Sequence, residues 1–344
     1  IKKTDRLWKA MEQFLTNNNV APLEELNYLG LLCLVKGGNL GPDHKGMMGY
    51  WDELEIFRCA DGCQKLATKM AYEITKNPKG KIELNAEVTH IDVKETVALQ
   101  WKKKLDNKKL EERGGTFDFV ILAIPPSVWG KVRITPEHPK DKIGPVGMGA
   151  AAKFFSDVKE RFWIKDRAAP IGGSLKMGQV WEGTDNQTRV YDQAIVLSVF
   201  TGNTIPPETQ YQQGLKELYP KYQDNLLGTV FVDWSDPNKK PFVQTGYASP
   251  KKGQIFRIGK KLIEPIQKRL FLAGEHTQMD FFGYMEGALR SGARAANAVM
   301  RQACVLPQPK IPAPDRPREP IHIARAAPIR EREAFEREIE NLLN

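Results

Sequence analysis

The chain has 344 residues, 51 Lys and Arg against 42 Asp and Glu, a net charge of +9, and 41% hydrophobic residues. That is enough chain for two domains or one large mixed one, and no apolar run approaches the roughly 20 residues of a membrane-spanning helix. The cations fall in short clusters without interleaved aromatics, such as Lys102 to Lys104 and Lys239 to Lys240, so they read as solvated loops, and neither nucleic acid nor a membrane is expected as a partner.

In chain order, residues 1–17 carry Leu7, Trp8, Met11 and Leu15 at helical spacing, which predicts an amphipathic helix. A glycine-rich loop follows from Lys36 to Gly49. A helix is expected from about Gln64 to Thr75, a strand over 82–93, and a charged hairpin turning near Asp106 to Lys109. Residues 147–235 alternate like an antiparallel sheet, with strands at Ala150 to Phe155, Ile195 to Phe200 and Thr229 to Trp234 and a helix near Pro207 to Leu218. Cys33, Cys59, Cys63 and Cys304 have no metal-ligand spacing, so buried free thiols and no metal site are expected. Seven prolines lie between Pro307 and Pro328. Residues 305–344 therefore read as an extended arm, ending in a short amphipathic helix carrying Phe335, Ile339 and Leu342. The fold class is α/β of mixed α+β character, with interleaved domains.

The densest signal is FLAGEHTQMDFFGYMEGALRSGARAANAV, residues 271–299. It reads as a buried strand from Leu270 to Ala273, a Gly-Glu turn, a short loop, and a helix opened by Gly283. A strand that feeds a helix start presents unpaired N–H groups and the positive end of the helix dipole to an electron-rich ligand, which suits a dinucleotide.

This stretch resembles the C-terminal FAD-binding segment of the flavin amine oxidase superfamily, which includes monoamine, polyamine and L-amino-acid oxidases. FRCADGCQKLATKMA at 57–71, IELNAEVTHIDV at 82–93, FVILAIPPSVW at 119–129 and GAAAKFFSDVKERFW at 149–163 fall in the family's order. The family's opening GxGxxG turn is absent from this sequence, and Asp61 stands where a glycine is usual. On that resemblance either a second polypeptide carrying the Rossmann half is expected, in an oligomer, or the sequence lacks the N-terminal part of its own chain. Residues 1–55 and 133–257 would form the substrate-binding domain, and 56–132 and 258–304 the FAD-binding domain.

The resemblance also implies the site. Lys153 would hold a water at flavin N5, and Tyr284 and Tyr247 would wall the amine's path. Val88, Trp234, Gly274, Glu275, Gly283, Tyr284 and Met285 would contact FAD. Gly246 stands where a tethering cysteine occurs in monoamine oxidases, so FAD would be held without a covalent link. Residues 33–62 look most like bacterial and fungal L-amino-acid oxidases. The implied function is oxidative deamination of an L-amino acid, consuming oxygen and giving hydrogen peroxide, with a monoamine or polyamine oxidase as the alternative. Phe200 takes the place of a carboxylate-binding tyrosine, at the loss of one hydrogen bond to an anion, about 1.5–3 kcal/mol. The alternative of another class is a non-catalytic FAD-bearing assembly subunit.

Overall fold

A computed structural model describes residues 4–38, 59, 62–174, 176–184 and 195–304. The Pro-rich arm, Asp61 and most of the 33–62 tract lie outside the described residues. The chain divides into two compact units, Ile1–Leu34 with Phe57–Gln308, and Val35–Ile56 with Pro309–Asn344. Every described strand lies in the first.

The helix expected near the start is α1, Arg6–Asn18, and α2 spans Tyr28–Gly38. Helix α3, Gln64–Lys76, matches its expected bounds and buries no residue; Leu66, Met70, Tyr72 and Ile74 of its apolar positions are all exposed. The charged hairpin and its neighbours make a four-stranded sheet. It is built from β1 (Ala86–Val93), β2 (Val97–Lys104) and β3 (Leu110–Phe117), with β4 (Val120–Leu122) following and β5 (Arg133–Thr135) completing it in the order β3-β2-β1-β5. Alternation explains β2: Val97, Leu99 and Trp101 turn inward between exposed neighbours.

After α4 (Pro139–Ile143) and β6 (Met148–Gly149) the second sheet begins with β7 (Ala151–Val158). Helix α5 (Phe162–Lys165) leads to β8 (Ile171–Ser174), β9 (Gly178–Glu182) and β10 (Ile195–Gly202). Helices α6 (Glu208–Leu218) and α7 (Tyr222–Asn225) precede β11 (Leu226–Asp233), and the antiparallel order is β11-β7-β10-β9-β8. Strand β12 (Tyr247–Ala248) pairs with β6; after α8 (Gln254–Ile258), β13 (Leu270–Leu272) pairs in parallel with β4, and α9 (Met285–Gln302) closes the unit.

Two cores result. One gathers Ile91, Val97, Leu122, Trp129, Ile258, Leu262, Leu270 and Leu272, so the segments before β6 and after β12 share it. The other packs Phe154, Val180, Leu197 and Val199 of the five-stranded sheet against Tyr211, Leu215 and Tyr222 of α6 and α7. The thiols depart from expectation: Cys59, Cys63 and Cys304 are exposed and Cys33 half-buried, and none is joined in a disulfide.

Candidate active site

Lys153 lies on β7, which runs between β10 and β11, so it is on an interior strand of the sheet. The alternation of β7 buries Ala152, Phe154 and Ser156 and turns Lys153 to the opposite face, where it is half-buried. Its cross-strand partners are Phe200 and Val232. Its Nζ stands 5.7 Å from the centroid of the Trp181 ring, a cation–π contact that helps an ammonium stay on a partly dry surface. Trp181 was missed from sequence. The signal was present in the alternation of GQVWE, which sends Gln179 and Trp181 to the Lys153 face.

Phe200 and Tyr247 stack, centroids 6.4 Å apart and planes 14° from parallel. The C-terminal end of α1 holds both. Asn17 donates from Nδ2 to the Phe200 carbonyl at 3.2 Å and accepts the Gly202 N–H at 2.7 Å, while the Tyr247 hydroxyl donates to the Asn18 carbonyl at 2.7 Å. Trp234 follows β11 directly; its N–H donates to the Ala151 carbonyl and its carbonyl accepts from Thr245, both at 3.1 Å.

Beside Tyr247 is Gly246, whose N–H donates to the Gly149 carbonyl at 2.7 Å. A Cβ added there would lie 2.4 Å from the Ala151 Cβ and 3.0 Å from the Gly149 carbonyl oxygen. No side chain, and so no tethering thiol, fits at that position without displacing the β6–β7 backbone.

Glu275 sits in the turn after β13. Its Oε1 accepts the Ala248 N–H at 3.0 Å and its Oε2 the Gly283 N–H at 2.5 Å. Burial raises the pKa of this carboxyl, and the two backbone bonds pull it back toward the ionised form. Gly283 adopts φ +79, and a Cβ on it would stand 3.0 Å from Cδ2 of the Tyr247 ring. Helix α9 begins two residues later than Gly283, with Tyr284 in extended backbone as its N-cap. Tyr284 meets the Phe281 ring edge-on at 6.2 Å.

The start of α9 decides which N–H groups are open to a ligand. The Gly283 N–H belongs to Glu275 and the Tyr284 N–H to the Phe281 carbonyl. Among the described residues no acceptor meets the N–H groups of Met285, Glu286 and Gly287, the groups that helix geometry leaves unpaired at an N-terminus. This set of donors, at the positive end of an 18-residue helix, fits an electron-rich isoalloxazine edge.

Gly274 is pinned from below: its N–H donates to Ser291 Oγ at 2.9 Å, and its carbonyl accepts from Thr277 Oγ1 at 2.8 Å. Arg294 donates to Thr277 Oγ1 at 2.6 Å. His276, packed edge-on against Trp129 at 5.6 Å, is held neutral, its pKa pushed down to about 4 by burial and then by the charge of Arg294.

Lys153, Phe200, Tyr247, Gly283 and Glu275 thus form one continuous run of contacts, with Tyr284 next along the chain. Val88 is apart, half-buried on β1 of the four-stranded sheet, at a bulge between Val88 and His90. Among the described residues no group of three His, Cys, Asp or Glu side chains is arranged to hold a metal, and no helix is long and apolar enough to cross a membrane.

A family model described as flavin containing amine oxidoreductase matches residues 25–300. A flavin-containing amine oxidase of Oncorhynchus mykiss is 29% identical over 211 residues, covering 56% of this chain and 39% of that protein. One from Danio rerio is 26% identical over 259 residues, covering 70% and 46%. The chain spans less than half the length of these curated relatives. Among solved structures, wild-type putrescine oxidase bound to putrescine superposes with a TM-score of 0.68 at 17% identity, over 87% of this chain and 66% of that one. Cyclohexylamine oxidase from Brevibacterium oxydans does so with a TM-score of 0.62 at 15% identity, over 88% and 66%. These last two likenesses concern the fold alone.

Proposed function

Because the chain belongs to the flavin-containing amine oxidoreductases, whose cofactor is FAD, we propose that it forms the amine side of an FAD-dependent oxidase acting on a primary amine without a carboxylate. The observation that carries this reading is the Phe200–Tyr247 stack on the same sheet face as Lys153. The stacked pair offers an apolar wall to the carbon chain of a neutral amine and keeps water from that side of it. Phe200 brings no hydroxyl for a carboxylate, and relatives of this fold are named for putrescine and cyclohexylamine.

FAD, when bound, would supply the two-electron chemistry: an acceptor for the hydride on the carbon bearing the amino group, with oxygen as the final oxidant. The chain's own residues orient and select. Tyr247 and Phe200 would wall one side of the amine's path, and Tyr284 would bound it from the start of α9. Lys153 would hold a water beside the bound cofactor. The open N–H groups of Met285, Glu286 and Gly287 would stabilise negative charge on it. Trp234 and Val88 border the cofactor, and Gly246 leaves it without a covalent link. Loss of hydride and a proton converts the amine to an imine, which water hydrolyses to a carbonyl compound and ammonia.

The second reading is oxidation of an L-amino acid, favoured by the likeness of residues 33–62 to L-amino-acid oxidases. The domain division implied by the resemblance puts 56–132 and 258–304 on the cofactor side and 1–55 and 133–257 on the substrate side, although the first core also draws Ile134 and Ile143 from the latter. A further polypeptide segment supplies the dinucleotide-phosphate turn. The uncovered apolar face of α3, and Ile121 exposed on the parallel β4–β13 pair, support such a neighbour, since parallel sheets are normally covered on both faces. An oxygen-electrode screen of the native assembly against primary amines, diamines and L-amino acids tests the reading. Peroxide formation with L-amino acids and not with amines would replace it with the second.

A further inference from the structure

We propose that Glu275 is a positioning residue that sets Tyr247 and Tyr284 relative to one another through the two peptide N–H groups it holds. The idea rests on the oxidase reading only for what the two tyrosines do. The bracing itself is a matter of the hydrogen bonds.

The carboxylate sits where three segments converge. One oxygen takes the N–H of Ala248, the residue after Tyr247, and the other takes the N–H of Gly283, the residue before Tyr284. Ala248 is 1% exposed, so its N–H has no water to fall back on, and an unpaired buried donor is costly. The base of the brace is fixed as well. Ser291 of α9 bonds the Gly274 N–H, and Arg294 ties the same loop through Thr277. At its far side Tyr247 is anchored through its hydroxyl to Asn18, and its ring lies against the Cα of Gly283. A displacement of Gly283 is therefore felt by Tyr247 directly as well as through Glu275.

The chemistry selects a carboxylate. Two N–H groups arriving from different segments need two acceptor oxygens on one short planar group, and an ionised carboxylate has only acceptors. A glutamine of the same shape must turn its NH2 toward one of the two donors. Glu275→Gln therefore breaks one arm of the brace and leaves the volume unchanged.

The test uses Glu275→Gln in the FAD-loaded native assembly with three readouts. Amide hydrogen exchange should rise at least tenfold at Ala248 or Gly283 and stay unchanged in β7 and β10. FAD affinity, from flavin fluorescence titration, should stay within about threefold of wild type. KM for the best amine should rise about tenfold while kcat changes less than threefold, because the walls are misplaced and the chemistry is not. Unchanged exchange at both amides overturns the proposal. A tenfold loss of FAD affinity with unchanged exchange makes Glu275 a cofactor contact and overturns it as well. If Glu275→Gln does not fold, Gly283→Ala pushes a methyl against the Tyr247 ring and strains a φ of +79, and the same rise in KM with FAD retained is expected. An unchanged KM there overturns the coupling. If the wild type oxidises no amine, the exchange and FAD measurements still decide the brace, and the oxidase reading falls alone.

Discussion

The ring of Phe200 lies parallel to that of Tyr247, 6.4 Å away, although the two residues come from β10 of the five-stranded sheet and from the two-stranded β6–β12 sheet. If this pair walls the carbon chain of an amine, Phe200→Ala should lower kcat/KM for the best amine by at least tenfold. Phe200→Tyr should narrow the preference for amines over L-amino acids by roughly 10- to 150-fold, the worth of one hydrogen bond to an anion. Steady-state oxygen consumption measures both.

Lys153 is flanked on its sheet face by Phe200 and Val232, with Trp181 beneath its ammonium. Lys153→Met keeps the stem and removes the charge, so the fold should survive. Stopped-flow measurement should show the oxidative half-reaction slowed about 100-fold, with reduction by amine changed less. Wild-type rates in both half-reactions would leave Lys153 a strand lysine and nothing more.

Flavin should leave the denatured protein. Acid or heat precipitation is expected to release free FAD into the supernatant. Gly246→Cys should not create a tether, because its Cβ meets the Ala151 Cβ at 2.4 Å; it should instead destabilise the fold by about 1–3 kcal/mol through overpacking. Flavin retained by the precipitated wild-type protein would contradict the non-covalent assignment.

His276 gives the fold an acid sensitivity. Its folded pKa of about 4 lies below the unfolded value of about 6.5, so the unfolded chain binds the proton more tightly. Stability is complete above pH 6.5 and is lost as the pH falls toward 4. Between pH 7 and pH 5 the loss from this residue is about 2 kcal/mol. His276→Phe keeps a ring against Trp129 and removes that share. Urea unfolding of both proteins at the two pH values should show the difference, and parallel pH profiles would disprove it.

The local grammar of this chain was legible. Alternation in GAAAKFFSDV yields β7 and the facing of Lys153, and helical spacing yields α1, α3 and α6 within a few residues. The hairpin between β2 and β3 turns where its charges predict. What the sequence hides is relation. That β7 is interior depends on β10 and β11, which lie far along the chain, and Trp181 joins the site only through that order. Glu275 reads as a ligand of the cofactor, yet its oxygens meet amides 27 and 8 positions away, a pairing that no periodicity encodes. Gly283 and Tyr284 stand at a helix start that reads as a source of open N–H groups, but the turn before α9 uses their two amides internally, and the open ones are those of Met285, Glu286 and Gly287.

The clasp at the end of α1 bears on how the molecule comes into being. Asn17 reaches β10 across 183 and 185 positions, and the Tyr247 hydroxyl reaches Asn18 across 229. Contacts of such separation form only after the intervening chain has paid most of its loop-closure entropy. The Phe200–Tyr247 stack is therefore expected among the last features to assemble. Refolding followed by sheet formation should run ahead of refolding followed by the Tyr247 environment, and chains released before about residue 250 should carry the five-stranded sheet without the stack.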